Sequence, residues 1–168
     1  TIVLGIRAYD TRKDVRDSNP RLLQYVFDGG ALIVQYNASV GEFNTGKFTP
    51  YHAQISRDRV SVEESPVELL LPGDPIFTGP NTSTARDFDG WVQERGLYFP
   101  DQWDAAWTPL LSSNDPGEPP RDSGLLVTPV EQGWFVYTGY SFFRELPAGV
   151  PGAYRLFANL ISLGHAGK

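Results

Sequence analysis

The stretch 29-GGALIVQYNAS-39 decides the fold class of this chain. A glycine pair ends one element, and the next five residues, Ala31 to Gln35, are largely apolar and predict a short buried strand. The chain then turns through Tyr36, Asn37 and Ala38. In many α/β enzymes a Cys or Ser stands at such a turn, so the chemistry of this tyrosine and this asparagine bears directly on function.

The residues before this stretch predict another strand and a helix. Ile2 to Ile6 are apolar and predict a buried strand, and Arg7 to Ser18 predict a polar loop. Asn19 followed by proline is a helix start signal, with Asn19 as the N-cap, and Gly29 predicts a left-handed exit from that helix. Strand, helix and strand make a βαβ unit, so the sheet is predicted to be parallel at this point.

The rest of the chain predicts strands, loops and one more helix. Residues 41–54 lack a clear period and predict a long loop, while residues 87–103 are dense in aromatic and charged side chains and predict a functional surface. Residues 114–124 predict a solvated loop. The remaining predictions are short strands at 59–62 and 67–71, a hairpin of strands at 124–128 and 134–138, and a final helix over 153–163.

Composition restricts the class of protein. The chain has 168 residues, of which 40% are hydrophobic, and this predicts a single domain over residues 1–168. It carries 14 Lys and Arg against 20 Asp and Glu and has no basic run, so nucleic acid is not expected as a partner. The absence of cysteine excludes thiolate nucleophiles, disulfides and thiolate-bound zinc. No apolar run approaches the roughly 18 residues of a membrane span, so none is expected.

The turn after the buried strand lacks a suitable nucleophile. The phenol of Tyr36 has an ordinary pKa near 10, and the amide of Asn37 is not a nucleophile. Ser39 comes two or three residues too late, and His52 and His165 are the only imidazole bases in the sequence. The sequence therefore favours a structural role in which Asn37 braces the turn through its amide.

Metal and phosphate sites are not predicted. The two histidines lie far apart in the sequence and lack the spacing of a catalytic zinc site, and 115-DPGE-118 is not organised like a calcium loop. Neither a G-x-G-x-x-G motif nor a P-loop follows a strand. We therefore expect no cofactor and no metal in this chain.

A set of polar and aromatic residues supports two alternatives. Several members lie at predicted carboxyl ends of strands, where α/β sheets gather ligands, and their chemistry suits a sugar or a partner protein. Alternatively, the aromatic members fill the core while Glu94 and Arg95 form a structural ion pair. The predicted ligand-binding residues are Arg7, Tyr9, Asn37, Trp91, Glu94, Arg95, Tyr140 and Arg144, and Asp10, Tyr98, Ser141 and Phe143 complete the set.

Five stretches carry a resemblance to a known family: 2-IVLGIRAYDTR-12, 29-GGALIVQYN-37, 55-ISRDRVSVEESPV-67, 87-DFDGWVQERGLYFP-100 and 138-TGYSFFRELPAGVPGAYRLFANLISL-163. The chain resembles the class I glutamine-amidotransferase-like superfamily in its trehalose-utilisation-like branch. More narrowly, it resembles the C-terminal domain attached to long bacterial PIG-L (LmbE-like) deacetylases. The likeness extends over nearly the whole chain, and 91-WVQERG-96 with its flanks is a fairly specific motif.

The resemblance implies an α/β fold of the flavodoxin-like or Rossmann-like type, a three-layer sandwich with a partly parallel sheet. Such domains usually begin with a βαβ unit before the strand predicted at Ile2, so the chain is expected to lack this first unit. The sheet edge exposed by its absence is expected to be covered by other chain or by a partner copy. The lack of methionine and the apolar start also predict that the chain is part of a longer protein.

Two departures from the family bear on activity. Amidotransferases carry a Cys at the turn where this chain has Tyr36 or Asn37, so the resemblance does not imply glutaminase activity. Deacetylases of the PIG-L type hold zinc through an Ala-His-Pro-Asp-Asp-Glu motif that this sequence lacks, so zinc is expected only in an N-terminal deacetylase domain of the same protein. Relatives often carry signal peptides, which implies a bacterial parent protein that is periplasmic or secreted, although this chain shows no such peptide.

Three functional hypotheses remain. The first is a noncatalytic accessory domain of a zinc-dependent N-deacetylase, which contacts the deacetylase domain and binds carbohydrate, an N-acetylated sugar above all. The second is a hydrolase with an atypical site around Tyr36, Asn37 and Glu94. The third is an oligomerisation module in which the aromatic band from Trp91 to Trp107 forms a contact between copies of the chain.

Overall fold

The computed structural model of the protein describes residues 1–165, so the last three residues of the predicted domain lie outside the described part. The strands are β1 (Ile2–Leu4), β2 (Ala31–Gln35), β3 (Ala53–Val60), β4 (Val67–Leu69), β5 (Gly96–Trp103), β6 (Thr108–Pro109), β7 (Leu111–Ser113), β8 (Leu125–Val130) and β9 (Gly133–Thr138). The α-helices are α1 (Ala8–Thr11), α2 (Lys13–Asp17), α3 (Asn19–Phe27), α4 (Val40–Thr45), α5 (Pro75–Thr78), α6 (Phe142–Ala148) and α7 (Pro151–Ser162). Short 3₁₀ helices cover Ala85–Phe88 and Leu163–His165.

A five-stranded sheet in the order β1-β2-β9-β8-β6 forms the centre of the molecule. Strands β1, β2 and β9 are parallel to one another, and β8 runs antiparallel to both β9 and β6. The predicted parallel pairing of the first two strands and the predicted hairpin near the end of the chain are therefore confirmed. We call the sheet edge at which β1, β2 and β9 end the carboxyl edge.

Two hydrophobic clusters cover the two faces of this sheet. Successive residues of a strand point to opposite faces, and accordingly Ile33 of β2 belongs to one cluster while Leu32 belongs to the other. Leu160 of α7 packs in the cluster of Ile33, whereas Val26 of α3 and Phe43 of α4 pack in the cluster of Leu32. The fold is thus a three-layer α/β sandwich with a partly parallel sheet, as predicted.

A small antiparallel sheet of β3 and β5 is attached to the carboxyl edge. The backbone N–H of Leu97 donates to the carbonyl of Gly139, just beyond β9, at 2.9 Å. The hydroxyl of Tyr137 in β9 donates to the carbonyl of Tyr98 in β5, also at 2.9 Å. These two bonds fix the small sheet beside the ends of the parallel strands.

Two segments predicted to be loops contain helices. The predicted loop from Arg7 to Ser18 holds α1 and α2, and the predicted loop over residues 41–54 holds α4 and the first residues of β3. The side chain of Asn44 in α4 bonds to both the N–H and the carbonyl of Ile55, at 2.8 and 3.0 Å. Because such tertiary contacts stabilise one-turn helices, local sequence periodicity does not predict them.

The start of α3 also differs from the prediction. Asn19 was predicted as the N-cap, but it lies inside α3 and Ser18 holds the cap position. The side-chain carbonyl of Asn19 accepts a hydrogen bond from the Tyr9 hydroxyl at 2.6 Å, and its amide donates to the carbonyl of Lys47 at 3.3 Å. Asn19 therefore binds neighbouring segments instead of the first turn of its own helix.

Two predicted strands differ in length or burial. The strand predicted over Ile2 to Ile6 ends at Leu4, and Val3 is 38% exposed because β1 is the outer strand of the sheet. The strand predicted at 59–62 is the last part of β3, which ends at Val60. Beyond that point the backbone N–H groups of Ser61 and Val62 donate to the carboxylate of Asp115 instead of to a neighbouring strand.

Candidate ligand-binding site

The turn after β2 is braced by a buried amide. Asn37 is fully buried, and its side-chain carbonyl accepts the backbone N–H of Tyr9 at 3.0 Å. Its side-chain amide donates to the carbonyl of Gln35 at 3.1 Å. Both ends of the side chain are thus engaged in holding the turn, which is the bracing role that the residue type favours.

A carboxylate occupies the backbone N–H groups that follow this turn. Asp10 accepts hydrogen bonds from the N–H of Ala38 at 2.7 Å and from the N–H of Ser39 at 3.2 Å. Its side chain is only 4% exposed, and Arg7 lies 3.4 Å away. In α/β hydrolases the N–H after the nucleophile helps to stabilise an oxyanion. Here the N–H of Ala38, which follows Asn37, already has a carboxylate partner within the chain.

Arg7 connects the ends of β1 and β2. Its backbone N–H donates to the carbonyl of Tyr36 at 2.7 Å, and its φ of 56° lies in the left-handed region that non-glycine residues rarely adopt. The side chain is half exposed at the carboxyl edge. Arg7 is therefore one of the predicted residues that the fold leaves accessible at this edge.

Three of the predicted aromatic residues lie in the core. Tyr9 stacks on Phe48 with ring centroids 4.2 Å apart. Trp91 donates its indole N–H to the carbonyl of Asp87 at 2.8 Å. The hydroxyl of Tyr140 lies 2.9 Å from the hydroxyl of Ser113, and burial raises the pKa values of Tyr9 and Tyr140. These buried side chains belong to the hydrophobic clusters, as in the alternative in which the aromatic residues fill the core.

The predicted ion pair between Glu94 and Arg95 does not form. Glu94 pairs with Arg144 at 2.6 Å and also accepts a hydrogen bond from Ser141 at 3.1 Å. Arg95 is buried and donates to the backbone carbonyls of Ser65 and Phe88, and this burial lowers its pKa. These neighbouring residues thus have different partners. Residues 93–95 belong to no helix or strand, so their side chains point in different directions.

An aromatic group at the carboxyl edge surrounds Tyr36. Its ring stacks on Tyr98 with centroids 5.4 Å apart and meets the edge of Phe143 at 5.5 Å. The guanidinium of Arg144 lies over the Phe143 ring at 4.8 Å. Burial raises the pKa of Tyr36, and the positive charges of Arg144 and Arg7 act in the opposite direction. The phenol therefore stays protonated at neutral pH, which makes it a hydrogen-bonding group and not a nucleophile.

A cavity of about 400 Å³ lies beside this aromatic group. Its lining residues are Ala38, Arg57, Arg59, Leu97 and Tyr98. The two arginines are not among the predicted site residues, since the strand predicted at 59–62 contains Arg59 and omits Arg57. The alternation in 55-ISRDRV-60 was an available signal, since residues two apart on a strand point to one face.

Two irregularities in the small sheet shape this cavity. Ile55 pairs with Pro100 and Asp58 pairs with Phe99, so two residues including Arg57 bulge out of β3. Tyr98 is in turn an extra residue in β5, and its φ of 55° is left-handed. Bulges re-aim side chains and are common beside functional sites.

Of the predicted site residues, Arg7, Asn37, Glu94 and Arg144 lie at the carboxyl edge. Tyr9 contributes a backbone N–H there. Trp91, Arg95 and Tyr140 are buried, and Trp91 and Arg95 line a separate cavity of about 460 Å³. Within residues 1–165, no group of three or more His, Asp or Glu side chains is placed to hold a metal ion. No described helix is both long and apolar enough to cross a membrane.

The chain matches no known protein family and no curated protein sequence. Among solved structures it is similar to the cytoplasmic protein STM3548 from Salmonella typhimurium, with a TM-score of 0.55 and 14% sequence identity. The match covers 86% of this chain and 59% of that protein, so the chain spans about three fifths of its length. At this identity the similarity supports the α/β fold alone.

Proposed function

We propose that this chain is a noncatalytic, ligand-binding accessory domain that uses its carboxyl edge to bind a small molecule. The family resemblance extends the proposal: the parent protein is a PIG-L-like N-deacetylase, the ligand is its N-acetylated sugar substrate, and zinc belongs to the N-terminal deacetylase domain. The partner of this chain is then that domain, in the same polypeptide.

The contacts of Asp10 carry the noncatalytic part of the proposal. Acyl transfer needs a nucleophile and free donors for the oxyanion that forms in the transition state. At this turn the N–H groups of Ala38 and Ser39 already bond to Asp10, and the amide of Asn37 is used at both ends. An acyl substrate would have to displace the carboxylate of Asp10, whose side chain is only 4% exposed, before its oxyanion could bond to these N–H groups.

The cavity beside Tyr98 supports the binding part. Its volume of about 400 Å³ lies within the range of small-molecule sites, roughly 300 to 1,000 Å³. Tyr98 lines the cavity and stacks on the buried Tyr36, and aromatic faces with nearby polar groups suit sugar rings. Trp91, Phe99 and Trp107 of the aromatic band considered for oligomerisation are buried, so Tyr98 and Trp103 are the accessible aromatic side chains of that band.

The test combines an activity assay with calorimetry. The pure chain should show no hydrolysis of N-acetylglucosamine or of acyl esters above the buffer rate. It should bind N-acetylglucosamine or its β-linked dimer, and Tyr98→Ala should weaken that binding about tenfold or more because it removes one wall of the cavity. Tyr154→Ala is the matched control, since Tyr154 lies 53% exposed on α7 and does not line the cavity.

Two results would contradict the proposal. Turnover by the pure chain that is lost in Glu94→Gln would support the hydrolase hypothesis. Binding that is equally strong in Tyr98→Ala and in the wild-type protein would place the ligand elsewhere on the molecule.

A further inference from the structure

The cavity at the carboxyl edge is basic in a chain of net charge −6. Arg57 and Arg59 both line it, and both are exposed. Within residues 1–165 neither guanidinium takes part in an ion pair or a side-chain hydrogen bond. Arginines without a carboxylate partner suit an oxyanion, because each guanidinium presents paired N–H donors to two oxygens.

Three acidic residues in the segments around the cavity have other partners. Asp58 lies between the two arginines in sequence, but its carboxylate pairs with Arg121 at 2.5 Å. Asp10 bonds to the backbone beyond β2, and Glu94 pairs with Arg144. The positive charge of Arg57 and Arg59 is therefore not neutralised by these neighbouring carboxylates.

The backbone holds the arginines and Tyr98 around one space. The bulge in β3 is fixed by the hydroxyl of Ser56, which donates to the carbonyl of Phe99 at 2.8 Å and accepts the N–H of Asp58 at 2.9 Å. The bulge in β5 is fixed by the bond from Tyr137 to the carbonyl of Tyr98. A preorganised site loses less entropy when it binds a ligand.

We infer that this cavity binds a small oxyanion-bearing molecule, a sugar phosphate or a sugar acid, through Arg57 and Arg59, with its ring against Tyr98. The inference rests on the proposed function, since it names the chemical class of ligand for the same site. The volume of about 400 Å³ leaves space for a ring beside the anionic group.

Calorimetry with five probes tests the inference: glucose 6-phosphate, glucuronate, glucose, N-acetylglucosamine and inorganic phosphate. The two anionic sugars should bind at least about tenfold more tightly than glucose, and binding should weaken as salt rises from about 50 to about 300 mM. Inorganic phosphate shows whether the site recognises the anionic group alone or also contacts the sugar ring. If phosphate binds as tightly as glucose 6-phosphate, the assignment of the ring to Tyr98 is wrong.

Single variants assign the contacts. Arg57→Gln and Arg59→Gln should each weaken glucose 6-phosphate binding about tenfold. Arg86→Gln is the matched control, because Arg86 is exposed, does not line the cavity and makes no ion pair among the described residues. Thermal melting of the three variants should match the wild-type protein, since none of these guanidinium groups has a described partner to lose.

The outcomes separate this inference from the proposed function. Tyr98-dependent binding of N-acetylglucosamine, with no preference for the anionic sugars, would overturn the inference and leave the proposed function standing. Anionic sugars that bind equally well to the wild-type protein and to both arginine variants would also overturn it. If none of the probes binds, both the inference and the proposed binding role fail.

Discussion

At the scale of single residues, Asp10 holds the turn after β2 in its observed shape. Asp10→Ala would leave the N–H groups of Ala38 and Ser39 without their carboxylate partner. We expect a loss of about 1 kcal/mol in the free energy of unfolding, because these partly buried donors lose their partner. Urea unfolding measures this loss.

The control for this experiment is Asp101→Ala. Asp101 is an exposed residue of β5 whose side chain makes no hydrogen bond within the described residues. Its replacement should change the free energy of unfolding by less than about 0.5 kcal/mol. Equal effects of the two substitutions would mean that Asp10 does not hold the turn.

Asp115 connects the loop after β7 to the end of β3. Its carboxylate accepts hydrogen bonds from the backbone and hydroxyl of Ser61, from the N–H of Val62 and from the hydroxyl of Ser65. Partial burial opposes ionisation of Asp115, but these hydrogen bonds outweigh it and lower the pKa of the carboxyl. The loop predicted to be merely solvated is thus anchored at one end.

This lowered pKa predicts a pH dependence of stability. Above the unfolded-state pKa of about 3.9 the ionised carboxylate of Asp115 contributes its full stabilisation, and the contribution is lost as the pH falls through the lower folded-state pKa. The difference in unfolding free energy between the wild-type protein and Asp115→Asn should therefore be largest near pH 7 and shrink below about pH 4. A difference that stays constant down to pH 3 would show that ionisation of Asp115 does not contribute.

At the scale of elements, the contact between α3 and β9 requires a glycine at the start of β9. A β-carbon on Gly133 would lie 1.9 Å from the carbonyl oxygen of Val26 and 2.4 Å from that of Gly30. Both are backbone atoms, so they cannot move aside as a side chain could. Gly133→Ala should lower the free energy of unfolding by about 1 to 3 kcal/mol or more through this overlap.

Gly41 provides the contrast for this substitution. It lies in α4 with no atom within 4 Å of an added β-carbon. Gly41→Ala should raise the free energy of unfolding by up to about 1 kcal/mol, since alanine has the better helix propensity. Thermal unfolding of both variants checks the prediction, and a destabilised Gly41→Ala protein would contradict it.

At the scale of the whole molecule, the two hydrophobic clusters share the strands of one sheet. Because alternate residues of β2 contribute to opposite faces, neither face can lose its packing without disturbing the strand. We expect a single cooperative unfolding transition. Leu32 and Leu160 lie in different clusters. Leu32→Ala and Leu160→Ala should each lower the free energy of unfolding by about 2 to 5 kcal/mol, and unfolding should remain a single transition.

Fluorescence and circular dichroism in a urea titration check this cooperativity. Trp91 lies in one cluster and Trp107 in the other, so the fluorescence reports on both faces of the sheet. Ile161→Ala, at a residue of α7 that is 39% exposed, should have a much smaller effect than Leu160→Ala. Two separate transitions would show that the faces unfold independently.

The candidate site was only partly predictable. Asn37 and Arg7 follow strands that sequence periodicity identifies, and their place at the carboxyl edge follows from the βαβ unit. Arg57 and Arg59 were missed, because the bulges and the attachment of β3 and β5 to the main sheet place them beside Tyr98. Trp91 and Tyr140, also predicted as ligand contacts, are buried, and Trp91 lines a separate cavity. An aromatic side chain has the same composition signal in a core as in a site.

The sequence by itself determined the βαβ unit, the closing hairpin, the final helix and the chemistry of a turn with no Cys or Ser nucleophile. Each of these depends on residues close together in the chain, where periodicity, glycine and proline act directly on the backbone. Only the tertiary structure decided that Asp10 occupies the donors beyond β2, that Glu94 pairs with Arg144, and that two arginines surround the cavity. Those contacts join residues distant in sequence, and their geometry depends on how the layers pack and where the strands bulge.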